Sequence, residues 1–208
     1  MKRISQLGIV CITVLTLACD GQTRRDESAV GTTGVGAGDT EFVEDAASSG
    51  MTEAKLGELA QQKAQSPEVK QFAEMMVRDH TKGGEALKQI ARQHSIPVPS
   101  QPDDEHSELI NRLSQQAGAE FDREYMDAMV QSHEDMIDLL QTRASEDRFG
   151  DNKGTVRPEG SDNPVEAALN QFASNTLPTA RHHLEEARRV RDGLGNRQAT
   201  PRGASGRE

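Results

Sequence analysis

Met76-Val77-Arg78-Asp79-His80 returns 53 positions later as Met129-Val130-Gln131-Ser132-His133, and the same offset pairs Phe72 with Tyr125, Glu74 with Asp127, Leu87 with Leu140 and Ala91 with Ala144. Two segments that each carry a histidine behind a Met-Val pair suggest an internal duplication. A third histidine, His183, and one glutamate, Glu53, fall on inward stripes of the same kind. Neutral imidazole and carboxylate are ordinary ligands of zinc, iron and copper, so Glu53, His80, His133 and His183 make a candidate metal set. The same four residues would serve equally well as a hydrogen-bond network that locks the core, because buried polar groups need partners. On sequence alone both readings stay open.

Other chemistries find less support. A ferritin-type di-iron site needs Glu-x-x-His on two helices, yet Val77, Val130 and Ala180 stand three residues before the three histidines. Met76 and Met129 precede the first two by one helical turn, so a thioether and imidazole set suited to copper is conceivable, although Met stripes usually fill core gaps. The chain has no Gly-x-Ser-x-Gly elbow, no His-Glu-x-x-His and no cysteine nucleophile in its central region. No catalytic residue is assigned, and redox chemistry at a bound metal ranks behind the binding and structural readings. His94, His106 and His182 fall at a helix end, in a connection and off the stripe, where cap or surface roles suffice.

Helices must position these groups, since nothing in the sequence reads as a strand. The periodicity predicts helices over about Glu41 to Gln65, from Ser66-Pro67 to His94, over about Asp104 to Gln115, over about Ala119 to Glu146, and from Asn163-Pro164 to about Leu194. Ser66 and Pro67 supply an N-cap and a proline at the first helical position, and Pro178 should kink the last helix. The inner stripe of the second helix holds Val69, Phe72, Ala73, Met76, His80, Leu87 and Ile90. That of the first holds Phe42, Ala46, Gly50, Glu53, Gly57, Ala60 and Ala64, with Glu53 its one ionisable member. The expected fold is all-α: a ferritin-like four-helix bundle with a long crossover between two helical hairpins. One copy of the repeat per hairpin fits a pseudo-twofold arrangement.

Outside the bundle the chain reads as envelope machinery. Lys2 and Arg3 precede an apolar run from Leu7 to Ala18 that is too short to span a bilayer, so residues 1–18 read as an export signal. Leu15-Thr16-Leu17-Ala18-Cys19 resembles a lipobox with Thr16 off the pattern, which makes Cys19 the expected lipid attachment and the membrane the expected anchor partner. The protein is accordingly placed on the periplasmic face of the envelope, inner or outer membrane undetermined. Residues 19–40, rich in Gly, Thr and Ser, read as a flexible tether, residues 41–194 as the bundle with a polar insertion at 148–162, and residues 195–208 as a disordered tail. The net charge of −10 becomes −12 when Lys2 and Arg3 are lost, and the chain has no Trp and one Tyr. Both facts argue against a nucleic-acid partner; no protein partner is indicated.

Segments in order along the chain, among them Phe42-Val43, Gly50-Met51-Thr52-Glu53, Val69-Lys70-Gln71-Phe72-Ala73, Asp79-His80-Thr81-Lys82, Tyr125-Met126, Met129-Val130 with His133, and Leu177-Pro178-Thr179 with His183-Leu184, resemble the bacterial domain-of-unknown-function 4142 family. The resemblance runs from about Phe42 to Val190. It implies a ferritin-like bundle, an exported and often lipid-anchored location, and no established activity. The family's motif residues fall on Glu53, Asp79, His80, Tyr125, His133 and His183, which adds Asp79 and Tyr125 to Met76 and Met129 as secondary site candidates. The chain departs from the pattern in the long polar insertion and in Gly83-Gly84, where the family has better helix formers. A binding or envelope-stress module is the function expected first, with a purely structural bundle as its alternative.

Overall fold

A computed structural model describes residues 34–145 and 161–199. The expected export signal, Cys19, most of the tether, the body of the polar insertion and the end of the tail lie outside the described residues. Five helices account for the regular structure of the described residues: α1 (Ala37–Lys63), α2 (Pro67–His94), α3 (Asp104–Ser114), α4 (Gly118–Ser145) and α5 (Pro164–Ala199). Among the described residues there is no strand. No helix among them is long and apolar enough to cross a membrane.

The helix ends differ from the periodicity where tertiary contacts take over. α1 begins at Ala37, four residues ahead of the expected Glu41, because Asp39 fastens its first turn. The Asp39 carboxylate accepts from the Gly36 N–H at 2.8 Å and from Arg143 Nη2 of α4 at 2.5 Å, with both side chains buried. α5 runs through Ala199, past the expected end near Leu194, and Pro178 lies inside it without ending it. Ser66 occupies the N-cap position of α2, followed by Pro67, but its hydroxyl donates to Glu68 instead of capping. The backbone N–H groups of Gln65 and Ser66 are taken by the buried Asp122 of α4, at 3.0 and 2.8 Å. A carboxylate from another helix thus anchors the chain as it enters α2, at amides that precede those a capping serine would take. At the far end of α2, Ser95 adopts φ 58°, which brings the Ile96 N–H within 2.8 Å of the Ala91 carbonyl and closes the helix.

α1 packs chiefly on α2 and α4 chiefly on α5, while α1 also meets α4 and α2 meets α5. This closes a four-helix ring in which α2 and α4 lie across a diagonal. Lys63 at the end of α1 donates to the carbonyls of Ser114 and Gln116 just before α4, whereas Asp39 at its start holds Arg143 near the end of α4. α1 is therefore antiparallel to both α2 and α4, so α2 and α4 run parallel. A connection between parallel helices must travel the length of the bundle, and α3, packed on α1 and α4, makes that journey. The repeat is consequently not one hairpin copied onto the other. That operation would superpose α2 on α5, whereas the two Met-Val-x-x-His copies lie on α2 and α4.

Two apolar clusters fill the bundle. One gathers Leu56, Ala60, Phe72, Met76, Phe121, Tyr125, Met129 and Ala187; the other gathers Phe42, Val43, Leu87, Ala91, Met136, Leu140, Leu169 and Ala180. Along every long helix a polar residue stands between the portions belonging to each cluster: Glu53 in α1, His80 in α2, His133 in α4 and His183 in α5. The four share one layer across the bundle. Close approach of α1 and α2 beside this layer depends on Gly57, where a Cβ would lie 2.9 Å from Val77 Cγ2 and 3.0 Å from the Ala73 carbonyl oxygen.

Candidate functional site

The three imidazoles of the layer form a nearly equilateral triangle, with ring centroids 5.6 Å apart for His80 and His133, 5.4 Å for His80 and His183, and 5.3 Å for His133 and His183. One ring nitrogen from each lies within 4.8 Å of the other two. His133 and His183 are buried, and His80 is 15% exposed. Their convergence follows from sequence: each occupies the inner stripe of its helix at the level where the large apolar residues stop.

The outward nitrogens are met by acceptors. His133 Nδ1 lies 2.8 Å from the carbonyl of Met129, one turn back along α4, and 3.2 Å from Glu53 Oε1. His183 Nε2 lies 3.1 Å from Asp79 Oδ2, and His80 Nδ1 lies 3.1 Å from Glu53 Oε2. This last contact is off the hydrogen-bond direction, since Oε2 has no aligned donor, so we read it as a charge contact that favours a proton on Nδ1. Glu53 is wholly buried, and its Oε1 also accepts from the Ser132 hydroxyl at 2.9 Å.

The electrostatics follow. Burial works to raise the Glu53 pKa, but His80, His133 and the Ser132 hydroxyl outweigh it and hold the carboxyl below its ordinary value. Burial pushes His183 down to about 4, helped by His133 and His80 and opposed by Asp79. Burial also lowers His80, against the pull of Glu53. Asp79 is lowered chiefly by its bond from Arg78, which overcomes partial burial, with His183 adding to it. At neutral pH the layer thus combines two carboxylates with neutral His80 and His183.

Proton positions are then constrained. In the neutral tautomer that gives the His133 Nδ1–H to Met129 O, Nε2 carries the lone pair, and that atom lies 3.3 Å from His183 Nδ1. With Nε2–H of His183 given to Asp79, His183 Nδ1 carries a lone pair too. A neutral imidazole has one proton, so His183 cannot donate to both Asp79 and His133. His80 Nε2 is buried with no hydrogen-bond partner. The three rings thus bring one nitrogen each to within 4.8 Å of one another.

A family model described as a domain of unknown function, DUF4142, matches residues 25–152, more than half of the chain. The chain belongs to the DUF4142 family. No curated protein and no solved structure matches it. The match starts ahead of the segments that carried the resemblance and stops before α5. Glu53, Asp79, His80 and His133 of this DUF4142 protein lie within it, while His183 comes from the helix beyond.

The secondary candidates divide. Asp79 touches the triangle through His183. Met76 and Met129 are fully buried in the first apolar cluster, where Met129 serves the site through its backbone carbonyl. Tyr125 stacks on Phe121 with ring centroids 5.8 Å apart and meets Phe72 edge-on; its hydroxyl is buried without a hydrogen-bond partner, and burial, then Glu53, raises its pKa. His106 joins the start of α3 through Asp103 at 2.7 Å. Sequence reasoning missed Ser132, the Met129 carbonyl and Asp122. The first two sit next to or one turn from His133, but no apolar periodicity marks them.

Proposed function

We propose that this DUF4142 protein is a metal-binding helical bundle in which His80, His133 and His183 hold one divalent transition ion, copper, zinc or iron by ligand type. One observation carries the reading: one ring nitrogen from each of His80, His133 and His183 lies within 4.8 Å of the other two, with an acceptor behind each ring. Metal-binding histidines characteristically give their other ring N–H to a carboxylate or backbone carbonyl, the roles offered here by Glu53, Met129 O and Asp79. In this reading Glu53 stands behind His80 and His133 and orients them. A cation there would also offset the buried Glu53 carboxylate, Asp79 being already paired with Arg78.

The sequence supports a location for this module: the export signal and Cys19 make it a lipid-anchored envelope protein. Replacing Cys19 by Ser should release the protein from the membrane fraction, and retention of that variant would sink the anchor.

The test of the metal reading is a titration of metal-stripped protein with copper, zinc, iron and manganese beside a variant with all three histidines changed to Ala. Stoichiometric binding that raises the melting temperature and disappears in the variant is expected. Equal binding by both proteins would refute the assignment. No binding by the wild type would leave a structural polar layer.

A further inference from the structure

Resting on that metal reading, we propose that the ion's remaining coordination position is filled from outside, by a small molecule with one electron-pair donor and an apolar body. A cavity of about 220 Å³ adjoins the triangle and is lined by His80, His133 and His183 but not by Glu53. One side of the triangle is therefore backed by the buried carboxylate, and the other is open. Among the described residues, the cluster of ligand-type groups close enough to share an ion comprises these three histidines and no carboxylate. Structural zinc sites close their shell with four protein ligands, whereas three protein ligands leave a position for water or substrate.

The cavity wall says what kind of ligand suits it. Around the imidazoles stand Ala46, Ala47, Gly50, Met136, Leu140 and Phe172, small or apolar, so a ligand's body meets hydrocarbon once its donor reaches the ion. Asp79 and Glu85 are accompanied by Lys88, which leaves no strong cationic field to select a large anion. A space of about 220 Å³ accommodates a ligand body of one or two rings. Gly83 and Gly84 help form the wall, and a Cβ at either would meet nothing within 4 Å.

The experiment uses the full-length protein loaded with cobalt(II), whose visible spectrum reports its ligands, titrated with imidazole and with 4-phenylimidazole. Both should perturb the spectrum, and 4-phenylimidazole should bind at least about tenfold more tightly because its phenyl ring is buried. Gly84→Leu, which favours the helix, should reduce that preference while leaving cobalt affinity unchanged. Cobalt that binds but responds to neither ligand would overturn this inference and leave the metal reading standing. Equal affinity for the two ligands would overturn the apolar occupant. Failure to bind cobalt at all would remove the metal reading and this inference with it.

Discussion

His133 Nε2 and His183 Nδ1 face each other at 3.3 Å between α4 and α5, each imidazole having its opposite nitrogen against an acceptor. Asp79, though a quarter exposed, governs which nitrogen of His183 points inward. Asp79→Ala should therefore weaken metal affinity by roughly 10- to 100-fold, the usual effect of losing such a partner. Isothermal titration measures the affinity, and a melting curve of the metal-free variant close to wild type separates this from unfolding. Unchanged affinity would show that Asp79 does not orient His183.

Gly57→Ala tests the close contact of α1 and α2. The added methyl would lie 3.0 Å from the Ala73 carbonyl oxygen, a backbone atom that cannot swing aside. Although alanine favours a helix, the overpacking should cost about 1–3 kcal/mol in denaturant unfolding. Gly83→Ala, with open space around its Cβ, should instead leave stability unchanged or raise it by up to about 1 kcal/mol.

The buried pair Asp39 and Arg143 ties the start of α1 to the end of α4, with Arg143 also set 5.5 Å from the centre of the Phe42 ring. Arg143→Met strands a buried carboxylate and should cost about 3–5 kcal/mol. Adding Asp39→Leu should recover much of that loss, which a double-mutant cycle would measure.

The pH dependence of the crossover rests on Asp103, the N-cap of α3. Partial burial acts to raise its pKa, but the His106 N–H, the Ser48 hydroxyl and the His106 ring outweigh this and lower it from 3.8 to about 2. Its folded value lies below its unfolded one, so the stabilisation is complete above about pH 4 and is lost as pH falls towards 2. With Asp103 half exposed the effect is modest. The melting-temperature gap between wild type and Asp103→Asn should be widest at pH 5 and close by pH 2.

The helices and the histidine layer were legible because α2, α4 and α5 carry large apolar residues at helical spacing, so an imidazole in that register could only point inward. Glu53 was legible for a different reason, as the lone ionisable group on a stripe of Ala and Gly. The start of α1 was not, because what holds it is Arg143, 104 positions away from Asp39. Of the acceptors, Glu53 and, through the resemblance, Asp79 were named but not their roles, since Met129 contributes a backbone atom and Asp79 reaches a histidine on another helix. The cavity is a lack of side chains at one level of the bundle, and the gap appears only when four helices are assembled. The parallel course of α2 and α4 likewise depends on the path of α3.

The site is divided between hairpins: α1 and α2 bring Glu53 and His80, while α4 and α5 bring His133 and His183. Each hairpin forms through contacts near in sequence, so each can arise early and alone, and neither holds a complete ligand set. An ion bound by all three histidines would then act as a late clasp. Holding ligands from both halves, it would make the loaded protein open along that seam less often than the metal-free one.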